Sequence, residues 1–186
     1  QHMFPGYKVS AITNGIHAAR WAHPVFSKLF NARIPNWQVE PELLFHADHL
    51  PADAAERDRL LLRVIGSPDR YGKQIDGMGG ATSSTSKVVL VSRSTRGDCD
   101  VDYLFGQVAI DAPLIDWSGN CGNLSSAVGP FAICAGLVHA PPEGFAVVRI
   151  WQANIGKTII ARVPVTNGAV QETGDFELDG VTFPAA

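Results

Sequence analysis

The sequence predicts an α+β fold, a curved and mostly antiparallel sheet wrapped around a central helix. Four short runs rich in β-branched and aromatic residues are bounded by Gly, Pro, Asp or Asn, as strands are. One longer segment among them carries apolar residues at helical spacing. The pair Asn167-Gly168 lies between two apolar runs, and both residue types tolerate the positive φ of a two-residue hairpin turn.

Taken in order, residues 1–44 are rich in aromatics and His, among them Phe4, Tyr7, His17, Trp21, His23, Phe26, Phe30 and Trp37. They read as a helical N-terminal extension. Residues 53–65 predict a helix in which Asp53 is the N-cap and Leu60, Leu61, Val64 and Ile65 form an apolar stripe. Strands are predicted over residues 87–93, 101–110, 145–152 and 157–165. The long helix places Leu124, Ala127, Val128, Phe131, Cys134, Ala135 and Val138 on one face, with Gly136 loosening its end.

The 186 residues suffice for one domain with a real core. At 46% hydrophobic and 18% charged, the composition is globular. A net charge of -3 argues against a nucleic-acid surface, which normally leaves a basic excess, yet it tolerates a small anionic ligand bound by local donors. No run approaches the ~20 apolar residues of a membrane span. The opening residues lack the basic and apolar regions of a signal peptide. Cys99, Cys121 and Cys134 lack metal-ligand spacing, so no metal is expected, and a reduced cytoplasmic setting is the simplest reading.

Three segments carry chemistry. Residues 76–87 hold Gly77, Gly79 and Gly80, then Thr82, Ser83, Ser84, Thr85 and Ser86, and close on Lys87. The glycines let backbone approach a ligand and the hydroxyls supply hydrogen bonds. A run of this composition is by itself more often a plain surface loop. It does not match a phosphate loop, and Lys87 leads straight into an apolar strand that fixes its base. A partly buried Lys of this kind is a candidate proton base.

Residues 116–123 include Ser118, Asn120, Cys121, Gly122 and Asn123 at the start of the long helix. Free backbone N–H groups and the helix dipole there favour an anion such as a carboxylate. The same field favours a thiolate, which makes Cys121 a candidate acid or base. Cys134 reads instead as a small buried hydrophobe, and Cys99 sits between Asp98 and Asp100, where like charge disfavours a thiolate. The third segment, residues 151–158, reads first as a hairpin turn, within which Asn154 is a weaker candidate carboxylate donor.

These segments, with residues 60–69, resemble the PrpF family of isomerases acting on methylaconitate-type tricarboxylates. The similarity spans roughly residues 45–186, in four spaced motifs that occur in order. The resemblance implies one half of a diaminopimelate-epimerase-like fold, in which two similar domains flank an active-site cleft. It implies that Lys87 and Cys121 are the proton-transfer pair. The substrate's carboxylates would be held by Gly79, Gly80, Thr82, Ser83, Ser84, Thr85, Ser86, Ser118, Asn120, Gly122, Asn123 and Asn154. No metal or organic cofactor is needed, and the route implied is the methylcitrate cycle of propionate catabolism.

Two features depart from the family. Its members open with a strand bearing an Arg-Gly-Gly-Thr-Ser-Lys-Gly-like motif that is absent here, and residues 4–44 instead resemble a stretch of bacterial α-glucan phosphorylase. That enzyme draws on a much longer chain, so His17 and His23 are read as structural or surface residues. The chain also reaches only to about the end of the family's first domain. The missing second domain is then the expected partner, and an exposed inner face predicts self-association into a homo-oligomer. A non-catalytic domain descended from such an enzyme is the rival expectation.

Overall fold

A computed structural model of the chain describes residues 44–171 and Gly174. All of the predicted N-terminal extension except Leu44 lies outside them. β1 (Leu44–His46) and a 3-10 turn (Ala47–His49) lead into α1 (Ala54–Ile65). Asp53 caps α1, its carboxylate accepting from the Glu56 N–H at 2.8 Å. The helix ends at Gly66, whose φ of 86° a residue with a Cβ rarely adopts.

The remaining elements are β2 (Lys87–Arg93), β3 (Val101–Val108), β4 (Ile115–Asp116), α2 (Gly122–Cys134), β5 (Glu143–Gln152), β6 (Lys157–Thr166) and β7 (Ala169–Val170). All four predicted strands form, the second ending at Val108. Asn167 and Gly168, at φ 54° and 77°, make the predicted hairpin turn between β6 and β7.

The seven strands form one sheet in the order β1-β2-β3-β5-β6-β7, with β4 alongside β3. It is mixed: β1 runs parallel to β2, and Val101–Tyr103 of β3 run parallel to Ile150–Gln152 of β5, while the other pairings are antiparallel. β4 and β5 therefore share one side of β3, meeting it at opposite ends.

A helix covers each face of β2. Val88 and Leu90 pack with Leu61, Val64 and Ile65 of α1, whereas Val89 and Val91 pack with Val128 and Ala132 of α2. Burial on both faces is why this strand is a continuous apolar run with no alternation.

The predicted apolar face of α2 is kept in part: Val128 is buried and Leu124, Ala127, Phe131 and Val138 pack against the core, but its centre shifts. Val128, Gly129 and Ala132 are buried, while Cys134 and Ala135 are exposed. The small residues decide this, because they let the helix axis come nearest the sheet. A Cβ on Gly129 would lie 2.9 Å from Val163 Cγ2 and 3.0 Å from Ala161 Cβ. The helix also stops at Cys134, before Val138, and Arg93 donates to the carbonyls of Leu137 at 2.6 Å and Gly136 at 2.7 Å. Gly129→Leu is expected to destabilise the fold by about 2 kcal/mol through overpacking. Urea denaturation checks this, and an unchanged midpoint would contradict the close seating of α2.

Among the described residues no helix is long and apolar enough to cross a membrane.

Candidate active site

Lys87 opens β2, in step with Val89 and Val91 on the α2 side of the sheet. Cys121 is the N-cap of α2 and is 8% exposed. Lys87 Nζ donates to Cys121 Sγ at 3.5 Å, although 34 residues separate them. The fold thus joins the two candidate proton carriers through one contact.

The backbone of Cys121 is held from both sides. Its carbonyl accepts from Tyr103 Oη at 3.2 Å, from Ser125 Oγ at 2.8 Å and from the Ser125 N–H at 3.1 Å. Its N–H donates to Asn120 Oδ1 at 2.8 Å. Among the described residues no side chain caps α2, and its first turn holds no acidic residue, so exposed Gly122 and Asn123 present a helix N-terminus with no acidic side chain in its own first turn.

Tyr103 is fully buried, and burial raises its phenol above the ordinary value of 10.0. A value raised by folding contributes stability that is complete below the unfolded-state value and is lost as pH rises through the folded-state value. Above about pH 10 the protein should therefore lose stability, and Tyr103→Phe should lessen that alkaline loss. Urea midpoints of both proteins across the alkaline range check the sign.

The loop before Lys87 is ordered mainly by contacts within the chain. Met78 and Gly79 donate their N–H groups to the Val64 and Ile65 carbonyls at 2.8 and 2.9 Å, so the loop lies against the end of α1. A Cβ on Gly77 would overlap the backbone of Ile65 and Gly66, and one on Gly79 would overlap the Gln74 side chain. Chain packing alone therefore requires a glycine at both positions. A Cβ on Gly80 would likewise run into the Thr85 side chain. Thr82 Oγ1 lies 2.7 Å from Ser84 Oγ and 2.9 Å from Thr85 Oγ1. Ser86 is fully buried, its Oγ accepting from Gln74 Nε2 at 2.8 Å. Thr82, Ser83 and Ser84 remain exposed.

Ser118 bonds Asp116 through both its N–H and its hydroxyl, at 2.8 and 2.7 Å, which holds that carboxyl below its usual range. Asn154 is committed to the fold. Its Oδ1 accepts from the Phe105 N–H at 2.8 Å, while its Nδ2 donates to the carbonyls of Phe105 at 2.8 Å and Trp117 at 2.6 Å. The side-chain amide fills the gap on β3 between β4 and β5 as a strand residue would. It reaches the site only through Gln152, whose Nε2 donates to Asn154 Oδ1 at 2.7 Å and to Asn120 Oδ1 at 3.1 Å.

Sequence reasoning missed Gln74, Gln107, Gln152 and Tyr103. Gln74 binds Ser67, Ser86 and the Ala81 N–H, and Gln107 Nε2 donates to the carbonyls of Ser83 and Ser86. A glutamine carries no periodic signature. The one available signal was the alternation of β5, which puts Gln152 on the buried face beside Ile150 and Val148.

Comparison with known proteins gives concordant matches. The PrpF protein family profile matches residues 41–186. A 2-methyl-aconitate isomerase of Cupriavidus necator is 74% identical over 151 residues, covering 77% of this chain and 38% of that protein. A 2-methyl-aconitate isomerase of Shewanella oneidensis is 74% identical over 133 residues, covering 70% of this chain and 34% of that protein. The crystal structure of a methylitaconate-delta-isomerase superposes with a TM-score of 0.72 at 44% identity, covering 77% of this chain and 62% of that one. The chain therefore spans little more than a third of the length of these two curated relatives. The superposition bears out the α+β, diaminopimelate-epimerase-like half expected from sequence.

Proposed function

The chain belongs to the PrpF family, and on that premise we propose that it is the first domain of an isomerase for methylaconitate-type unsaturated tricarboxylates. The reaction is 2-methyl-trans-aconitate to 2-methyl-cis-aconitate. The observation that carries this is the 3.5 Å contact of Lys87 Nζ with Cys121 Sγ. The names of the 74% identical relatives support the substrate class.

One of the two groups takes a proton from the carbon α to a carboxylate, and the C–H electron pair spreads through the adjoining double bond. The former double bond then rotates, and the proton returns to the same carbon from the pair. Proton count and charge are unchanged overall, so the residues need only hold, take and return one proton. Exposed Thr82, Ser83 and Ser84, with the free N–H groups at the start of α2, are the donors suited to the carboxylates and to the developing negative charge. Ser118 and Asn120 adjoin them in sequence. The other wall of the cleft comes from a second domain beyond the third of the relatives' length that this chain spans, and the setting is the cytoplasm and the methylcitrate cycle.

The test is conversion of 2-methyl-trans-aconitate in deuterium oxide by the 186-residue chain, with and without a supplied second domain. Isomerisation with deuterium entering the product supports the proposal. Absence of both under either condition would favour a non-catalytic domain of the same descent.

A further inference from the structure

Among the described residues the buried polar side chains are Ser67, Gln74, Ser86 and Gln152. The first three bond one another beneath the loop that leads to Lys87. Gln152 stands apart, fully buried in the core that includes Cys121. An amide in such a place is tolerated when its hydrogen-bonding groups are satisfied. That condition is met here, because Nε2 donates to Asn120 Oδ1 and Asn154 Oδ1 and Oε1 accepts from the Ile155 N–H at 2.9 Å.

The polarity of this network is fixed at its ends by main-chain groups, which bond in one sense only. The Cys121 N–H donates, so the Asn120 atom facing it is Oδ1. The Phe105 N–H donates while the Phe105 and Trp117 carbonyls accept, which fixes both ends of the Asn154 amide. The Ile155 N–H donates, so Gln152 turns Oε1 to it and gives both Nε2 hydrogens to the asparagines. One group is left over. Asn120 is exposed, and its Nδ2 donates to none of the described residues.

We infer that Gln152 is a positioning residue: it holds Asn120 with the amide nitrogen outward beside Cys121, as a donor to a substrate carboxylate. Through Asn120 it also fixes the N–H of Cys121. The inference rests on the proton-transfer reading of Lys87 and Cys121. A hydrophobic side chain of similar length could fill the space of Gln152 but could donate to neither asparagine, which would leave Asn120 held by the Cys121 N–H alone.

The three thiols allow the test within one molecule. Cys134 is exposed and reports reagent delivery, while Cys99 is buried and reports loosening of the fold. Alkylation by iodoacetamide is followed thiol by thiol over roughly pH 6 to 10, with and without trans-aconitate as the probe tricarboxylate. Gln152→Met should shift the pH midpoint of Cys121 alkylation and raise the trans-aconitate concentration that half-shields Cys121 about tenfold, with Cys99 still slow. Unchanged midpoint and shielding in the folded variant would overturn the inference, as would equal acceleration of Cys99 and Cys121.

A second variant decides the matter if Gln152→Met fails to fold. Asn120→Asp keeps an inward acceptor for both bonds, replaces the outward donor with an acceptor and adds a negative charge at the start of α2. It should keep the wild-type melting temperature and lose the shielding. Lost stability in Asn120→Asp would show the amide reversed and the inference wrong, since the added charge weakens shielding in either orientation. If trans-aconitate shields not even the wild type, the tricarboxylate reading of the site fails, and the pH midpoint alone decides the role of Gln152.

Discussion

Lys87→Ala should lower isomerisation of 2-methyl-trans-aconitate by about a thousandfold, within the range lost when a positioned proton carrier is removed. Cys121→Ser should act comparably, because a thiol can give up and take back a proton near neutral pH, whereas a serine hydroxyl does not ionise there. The double variant should be little worse than either single one, since two groups that relay one proton act as a unit. Steady-state kinetics in the presence of the proposed second domain measures all three. KM should move much less than kcat for Lys87→Ala, because the hydroxyls and helix amides proposed to hold the carboxylates are left in place. Full activity in Lys87→Ala would remove Lys87 from the chemistry, whatever the 3.5 Å contact with Cys121 suggests.

Asn154→Ala should cost about 3 kcal/mol of stability, a large loss for an exchange at a turn. It would strip partners from the Phe105 N–H and from the carbonyls of Phe105 and Trp117, where β3 has neither β4 nor β5 to pair with. Each abandoned main-chain group in a partly buried position carries a desolvation cost. Gln152 would also lose one of its two acceptors, so order at Asn120 should fall along with global stability. Urea denaturation measures the first effect and the Cys121 alkylation profile the second. A loss below about 0.5 kcal/mol would show that water replaces the amide without penalty.

Local chemistry was legible before any coordinates. Asp53 caps α1 because an oxygen one turn ahead of an apolar stripe meets a free N–H. Asn167-Gly168 turns β6 into β7 because both residues accept positive φ. Strand positions followed from side-chain type, and Lys87 and Cys121 stood out because one opens an apolar strand and the other a helix.

Less was legible wherever a residue's partner lies far along the chain. Cys134 fits a helical apolar stripe, yet the sheet selects the face with the smallest residues, Gly129 and Ala132, and leaves Cys134 outside. Gly77 and Gly79 are also required by packing that the local sequence does not show, since the end of α1 and the Gln74 side chain occupy the space a Cβ would need. Asn154 looks like a free donor, yet the parting of β4 and β5 along β3 claims it.

The sequence by itself determined two helices, four strands, the Asp53 cap, the Asn167-Gly168 turn and the family, and it singled out Lys87 and Cys121, because each depends on neighbours within a few residues or on motifs in a fixed order. The tertiary structure alone decided the parallel pairing of β3 with β5, a helix on each face of β2 and the meeting of Lys87 with Cys121. It also decided the use of buried glutamines to hold both sides of that contact. Those features depend on which surfaces pack together across the chain, and a hydrogen bond between residues 34 positions apart leaves no periodic mark on either of them.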